Sequence, residues 1–390
     1  MSTLGIVAEY DPFHRGHDWH LSRARQIVQP DWTCVVLSPC YKQRGTLSLL
    51  SPHDRARCAV RAGADAVFLL PVSWTVRDAE HYALGAVSLL TALGCTHLAF
   101  GAETDALPLL RQIAMILEEE PAPLRQSLRE GLSAGLGYPA AMARAVSSLL
   151  PQAESALSRP NNLLAVCYLR ALLRLSSPMA PVLIPRRGDY HAPAVDADFP
   201  SASAIREALL QGNYRPAYAA VPEETGRLLR ERFLHRQIPD ARVEDALLLS
   251  ALRGMTISQL QALPDLSEGL ETALRRAASS CSSRLELVEA LTGRRYPAAR
   301  IHRLCASVLL GLTREAVDNA PLPDRTLLLA LRKHPAMTES WKSLPIRIAS
   351  SAREWVDLAD PADLAAWRTW AQCCHRPDTL PCTEMVYTES

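Results

Sequence analysis

The feature that most constrains this chain lies at its start: Gly5-Ile6-Val7-Ala8-Glu9-Tyr10-Asp11-Pro12-Phe13-His14-Arg15-Gly16-His17. The apolar run Leu4–Ala8 predicts a strand. Asp11 and Pro12 break it, and an amphipathic segment beginning near Gly16 and running through Leu21 and Ala24 predicts a helix. A strand, a sharp loop and a helix set the helix's unpaired N–H groups and positive dipole end beside the loop, a seat suited to phosphate. The His14-x-Gly16-His17 spacing adds two imidazoles, which can donate to a phosphate whose charge grows in a transition state. Gly16 removes a Cβ where a nucleotide would lie close to the backbone. The plainer alternative is a buried loop whose histidines are held by carbonyls. The strand before and the helix after favour the phosphate seat.

A chain of 390 residues can bury a large core and predicts two domains. Its 42 basic and 41 acidic residues nearly cancel, so no global field advertises nucleic acid, although a local basic patch is compatible with that balance. Ten cysteines without a repeating metal spacing predict reduced thiols in a cytosolic protein rather than a disulfide scaffold. Cys373-Cys374-His375, with Cys382 beyond, lacks a C-x-x-C pair, and adjacent cysteines rarely share one tetrahedral ion, so no metal site is expected. The opening residues form a strand rather than an export signal, and no apolar run reaches the ~20 residues that span a bilayer. A soluble, cytoplasmic protein with no membrane partner is expected.

The first half alternates strand and helix signals. Thr33–Ser38, Ala66–Leu70, His97–Phe100 and Val182–Ile184 read as further strands. Between them, a helix over Ser51–Ala62 has Ser51 as N-cap and Pro52 behind it, and a helix over Ala79–Leu93 closes at Gly94. The alternation predicts an α/β fold, a parallel sheet with helices on both faces, whose ligands bind beyond the carboxyl ends of the strands. His14, Ser38 and Gly101 all fall at such ends, so their loops are expected to converge. Pro160-Asn161-Asn162 opens a helix that Asn161 or Asn162 can cap. Pro200–Arg206 opens another, where hydroxyls and the Arg206 guanidinium form a second anion site or, more plainly, an N-cap and a solvated charge. Beyond about residue 215 strand signals fade into Leu- and Ala-rich helical patterns, and His375–Ser390 reads as a loose polar tail. Arginines concentrate between 270 and 305, with Tyr296 among them, a composition suited to RNA backbone and unstacked bases or to a solvated helix face.

Several of these stretches together resemble one family, the bacterial tRNA(Met) cytidine acetate ligases of the HxGH-type nucleotidyltransferase superfamily. The resemblance is carried by Val7–His17, Gln43-Arg44-Gly45, Gly63-Ala64-Asp65, Leu70-Pro71-Val72, Ala79–Val87 and Phe100–Glu103. It continues through Pro160-Asn161-Asn162, Ser201–Arg206, Ser267–Glu271, Arg294-Arg295-Tyr296 and Arg300–Arg303, so it spans residues 1 to about 315. It implies a Rossmann-like ATP-binding nucleotidyltransferase domain over 1–215 and a mostly helical, tRNA-binding domain over 216–390. It implies attack of acetate on the α-phosphate of ATP, taken with Mg²⁺, giving acetyl-adenylate and pyrophosphate without acetyl-CoA. The acetyl group then passes to the wobble cytidine of elongator tRNA(Met).

Carried onto this chain, the resemblance places ATP on Val7, Ala8, Glu9, Tyr10, Asp11, Pro12, Phe13, His14, Arg15, Gly16, His17, Asp18, Trp19 and His20. His14 and His17 would be catalytic, and Gly101, Asn161, Asn162, Arg186, Arg187, Ser203 and Arg206 would complete the pocket. Ser38, Gln43 and Arg44 would form the substrate loop, and Arg294, Arg295, Arg300 and Arg303 would grip tRNA. The chain departs from the family at Ser38-Pro39-Cys40-Tyr41-Lys42, where Ser-Gly-Asn/Asp-Phe-Val is usual, and at Asp11, where Asn is usual. Thr46-Leu47-Ser48 stands for Glu-Pro-Ala and Pro185-Arg186-Arg187 for Lys-Arg-Ile. Two other readings compete: a nucleotidyltransferase for another small carboxylate or phosphate, and an RNA-binding protein with a degenerate nucleotide domain.

Overall fold

The computed structural model describes residues 1–186, 200–267, 269–293, 295–332, 339–378 and 384–386. Five strands, β1 (Thr3–Ala8), β2 (Trp32–Leu37), β3 (Ala66–Leu69), β4 (His97–Ala102) and β5 (Ala180–Pro185), run parallel. They are joined by β6 (Arg325–Arg332), β7 (Arg347–Ala349) and β8 (Glu384–Val386) in one sheet of order β5-β4-β1-β2-β3-β6-β7, with β8 also paired to β6.

Side chains alternate across this sheet as the strand period demands. Cys34 and Val36 of β2 face one core with the helices Ala79–Ala92 and Pro160–Arg174, while Val35 and Leu37 face the other with Leu21, Ala24 and Ala59. Both faces are covered, as parallel sheets require. Ser51 caps the helix Pro52–Arg61 by accepting from the Asp54 amide at 3.0 Å, and Gly94 takes the left-handed φ of +76° just past the helix Ala79–Ala92.

The chain beyond residue 215 departs from expectation in one respect. It is helical from Glu223 to Asp318, with its own core around Leu248, Leu274, Leu287 and Leu304, but strands do not cease there. β6 pairs antiparallel with β3, in the register Ala66↔Leu331 and Val67↔Ala330, and extends the sheet. Residues 384–386 of the expected loose tail pair with β6. Arg-Thr-Leu-Leu-Leu-Ala-Leu-Arg lacks polar alternation because both of its faces are buried, so its pattern is that of a short buried helix.

The topology fixes where a ligand goes. The chain runs from β1 outward through β2 and β3, then returns to β4 and β5 on the other side of β1. The crevice beyond the carboxyl ends of β1 and β4 is therefore the switch point of the sheet. The role of β6 in this core is testable: Leu329 is fully buried, so Leu329→Ala is expected to cost ~2–5 kcal/mol, read as a lower denaturant midpoint with an unchanged m-value.

Candidate active site

The residues between β1 and the helix Arg15–Val28 form a rigid turn rather than an open loop. Tyr10 adopts φ +48°, unusual for a residue with a side chain, and its ring is fully packed against Phe13 at 4.7 Å and His17 at 4.9 Å. His14 occupies the N-cap. Its Nδ1 accepts from the Gly16 amide at 3.0 Å, and the His14 amide in turn donates to Nδ1 of His17 at 3.4 Å. The two rings stack with centroids 3.7 Å apart. The His-x-Gly-His spacing is thus a reciprocal helix cap built from imidazoles. A Cβ on Gly16 would come within 2.8 Å of the His14 ring, so the glycine makes room for that imidazole.

The cap also settles a proton. With Nδ1 of His14 accepting, the neutral ring carries its hydrogen on Nε2. Burial, then Arg186 and Arg206, pushes the His14 pKa down to about 3. Burial, His14, Arg186 and His20 drive His17 well below the usual imidazole range, against the carbonyl of Pro12. His20 is pushed down to about 4 by burial and Arg186, opposed by a hydrogen bond to the Phe100 carbonyl. Its buried Nε2 has no hydrogen-bond partner. That buried nitrogen is a polar atom available to a ligand.

The other predicted residues gather from β4, β5 and the helix Ala202–Leu210. A Cβ on Gly101 would stand 3.4 Å from Arg186 and 3.8 Å from His20, so these three share one wall. Asn161 connects Arg186 to Glu103: its Oδ1 accepts from Arg186 at 3.0 Å and its Nδ2 donates to Glu103 at 2.5 Å. Glu103, not either asparagine, caps the helix Pro160–Arg174, accepting the amides of Asn161 and Asn162 at 3.3 and 2.9 Å. Asn162 is fully buried. Its Oδ1 takes the amides of Glu103 and Thr104, and its Nδ2 serves Thr104 and the Ala156 carbonyl, so it shapes the loop after β4. Ser201 is the N-cap of its helix, and Ser203 instead accepts from Arg206 at 3.0 Å. Arg206 also donates to the Asp11 carbonyl, which ties the second anion site to the first. Arg187 lies outside the described residues.

The loop expected to hold substrate lies against the same turn. Ser38 is buried at 3.2 Å from the Tyr82 hydroxyl, the Gln43 amide donates to Glu9 at 2.8 Å, and Arg44 is exposed. Lys42 forms a buried ion pair with Asp11 at 2.9 Å, so two departures from the family pattern meet in space. Sequence reasoning missed the group beneath them. Arg55, fully buried, donates to the carbonyls of Glu9 (2.6 Å), Ser38 (3.1 Å), Pro39 (2.5 Å) and Leu50 (3.2 Å). It sits on the amphipathic helix Pro52–Arg61, where no local signal distinguishes it from Arg57 or Arg61.

In the helical unit Arg295 is exposed, its guanidinium 5.4 Å from the Tyr296 ring centre. Arg300 donates to the Asp265 carbonyl and Arg303 to the Asp265 carboxylate, each at 2.7 Å, so both are committed inside the unit rather than standing clear. Arg284, part of the same basic run, is buried against Glu244. Arg294 lies outside the described residues.

Comparison with known proteins agrees with this geometry. Residues 1–347 match the HIGH Nucleotidyl Transferase family. The tRNA(Met) cytidine acetate ligase of Syntrophomonas wolfei is 36% identical over 327 residues, covering 82% of this chain and 78% of that protein. The tRNA(Met) cytidine acetate ligase of Bacillus subtilis is 31% identical, covering 100% and 94%. The chain belongs to the tRNA(Met) cytidine acetate ligase family. Thermotoga maritima TmcAL bound with alpha-thio ATP superposes with a TM-score of 0.90 at 26% identity, each chain covered in full. The α/β nucleotidyltransferase fold expected from the sequence is therefore the observed one.

The depressed histidines predict an acid sensitivity. Unfolded histidines near pKa 6.5 bind protons that folded His14 and His20 refuse, so the unfolded state holds more protons between about pH 4 and 6.5. Stability is expected to fall as pH drops through that window. His14→Asn, which keeps a capping oxygen but removes one titrating group, is expected to flatten the dependence of the urea midpoint on pH between 7 and 4.

Proposed function

We propose that this chain is an ATP-dependent ligase that adenylates acetate and acetylates the wobble cytidine of elongator tRNA(Met). The observation that carries the reading is the convergence of His14, His17, His20, Arg186 and Arg206 at the switch point of the sheet. Neutral imidazoles and guanidinium groups around a helix N-terminus suit a triphosphate.

A carboxylate oxygen of acetate attacks the α-phosphorus, and the bond from that phosphorus to the bridging oxygen breaks, releasing pyrophosphate with the electron pair. Guanidinium groups of Arg186 and Arg206 neutralise the anions that must approach each other, and Nε2–H of His14 donates to phosphate oxygen. The N4 amine of cytidine then attacks the acyl carbon, AMP departs with the electron pair, and the amine loses a proton. The acyl-adenylate must be kept from water until that amine arrives.

Among the described residues, no group of three or more His, Cys, Asp or Glu side chains is arranged to hold a metal ion. Asp11 is engaged by Lys42 and the Leu49 amide, Glu103 by the asparagines, and Glu9 by the Gln43 amide. Any Mg²⁺ in the reaction therefore enters with ATP in this proposal, and no step is routed through a protein-held ion. Acetyl-CoA is not required, because ATP activates the acid. For RNA, the proposal gives the contact to Arg295 beside Tyr296, with Arg300 and Arg303 holding the loop at Asp265 that supports them.

Two measurements test this. The protein is expected to exchange labelled pyrophosphate into ATP only when acetate is present, and His17→Ala to lower exchange by about 100-fold or more while the circular dichroism spectrum is unchanged. Exchange without a carboxylate would point to another nucleotidyltransferase, and its complete absence to an RNA-binding protein. Arg295→Ala is expected to weaken tRNA binding and reduce the slope of log K against log salt by about one.

A further inference from the structure

Beside the nucleotide turn lies a surface that the chemistry at His14 and His17 does not use. The helix Tyr214–Ala219 leans on that turn: the Arg15 amide, next to His14, donates to the Ala220 carbonyl at 3.1 Å. Tyr214 and Tyr218 present nearly parallel rings, 13° between planes and 6.0 Å between centroids. Phe233 meets Tyr214 edge-on at 5.8 Å, and the guanidinium of Arg230 lies 5.1 Å from the centre of Tyr218. The rings are thus held in a fixed plane from the protein side, yet Tyr214 is 43% exposed.

The exposed charge on these segments is mostly positive, Glu223 being the exposed carboxylate of the adjoining helix. Arg15, Arg215 and Arg230 are all exposed. On the adjoining helix, Glu224 is engaged by Arg57 and Arg227, and Glu231 by Arg227 and Arg232. Flat aromatic faces interleaved with guanidinium groups bind unpaired bases and the phosphates between them. An acidic peptide would use the arginines but would leave the parallel rings without a role.

We propose that Tyr214, with Tyr218 and Arg230 behind it, stacks an unpaired base of the RNA substrate's loop and so holds the reacting cytidine beside the acyl-adenylate. This rests on the ligase reading above, because only a substrate with splayed bases needs such a platform next to the nucleotide. Tyr214 is a positioning residue on this account, and it has no part in making the adenylate.

The test uses the full chain and an anticodon stem–loop RNA carrying 2-aminopurine next to the wobble cytidine. Binding is expected to quench the probe with the wild type and with Tyr214→Phe, which keeps the ring. Tyr214→Ala is expected to lose the quenching and to bind about ten-fold more weakly, the range for removing one stacking partner. Acetate-dependent pyrophosphate exchange is expected to be equal in all three, which shows that each variant is folded. Tyr214→Ala that quenches and binds like the wild type would overturn the proposal. A wild type that quenches the probe but exchanges no pyrophosphate would uphold the stacking surface and overturn the ligase reading.

Discussion

The site depends on one buried guanidinium. Arg55 reaches the carbonyls at the ends of β1 and β2 and the carbonyl just before its own helix, and four of its donors are spent on main-chain oxygens. Burial opposes its charge, and the anions Asp11, Glu9 and Asp54 favour it, Asp11 most. Asp11 and Glu9 belong to the turn after β1, so the turn stabilises the cation that holds it. Each carbonyl left without a donor in such a place costs ~1–3 kcal/mol, and lysine could not serve four divergent acceptors. The position of His14 is therefore set from beneath, by a residue that never faces the crevice.

The same loop that Arg55 holds reaches the helical unit. Gly45 sits so close to the helix Ala298–Leu310 that a Cβ would fall 2.6 Å from the Arg303 backbone, and its φ of +77° favours glycine as well. Arg284, buried with Glu244, donates to the Gly45 carbonyl and to that of His302 at 3.0 Å. On the other side, the Trp370 indole donates to the Ser48 carbonyl at 2.8 Å. The segment between Ser38 and Leu50 is thus gripped by the sheet, by the helical unit and by the helix Pro361–Cys373. The Lys42–Asp11 pair and the turn therefore lie on a segment that the helical unit also holds. That contiguity is a physical link between the expected RNA-binding part and the phosphate seat.

What could be read in advance followed from locality. The strand, turn and helix around His14, the parallel alternation through β5 and the caps at Ser51 and Gly94 all depend on neighbours within a few residues, and the structure has them. β6 was missed because a strand buried on both faces has no polar alternation, and its leucines and alanine favour a helix. Arg300 and Arg303 looked available for RNA because Asp265, their partner, lies more than thirty positions away in sequence. Asn162 looked like a cap, yet its acceptors and donors are satisfied by the loop after β4. Arg55 was invisible for the same reason: its meaning lies in carbonyls from three separate segments.

The electrostatics of the turn follow from its packing rather than from a choice of charge. Stacking His14 on His17 under Tyr10 and Phe13 removes water from both rings, and the arginines nearby make a further positive charge costly. The imidazoles are consequently neutral donors, while Arg186 and Arg206 supply the permanent positive charge. A neutral donor gains most where phosphate charge is greatest, because its interaction grows with the charge it meets. A third cation in the same place would hold triphosphate and pyrophosphate alike, which tightens binding without lowering the barrier. In the proposed reaction, burying the histidines would reserve their hydrogen bonds for the moment when charge moves onto the phosphate, at the cost of stability in acid.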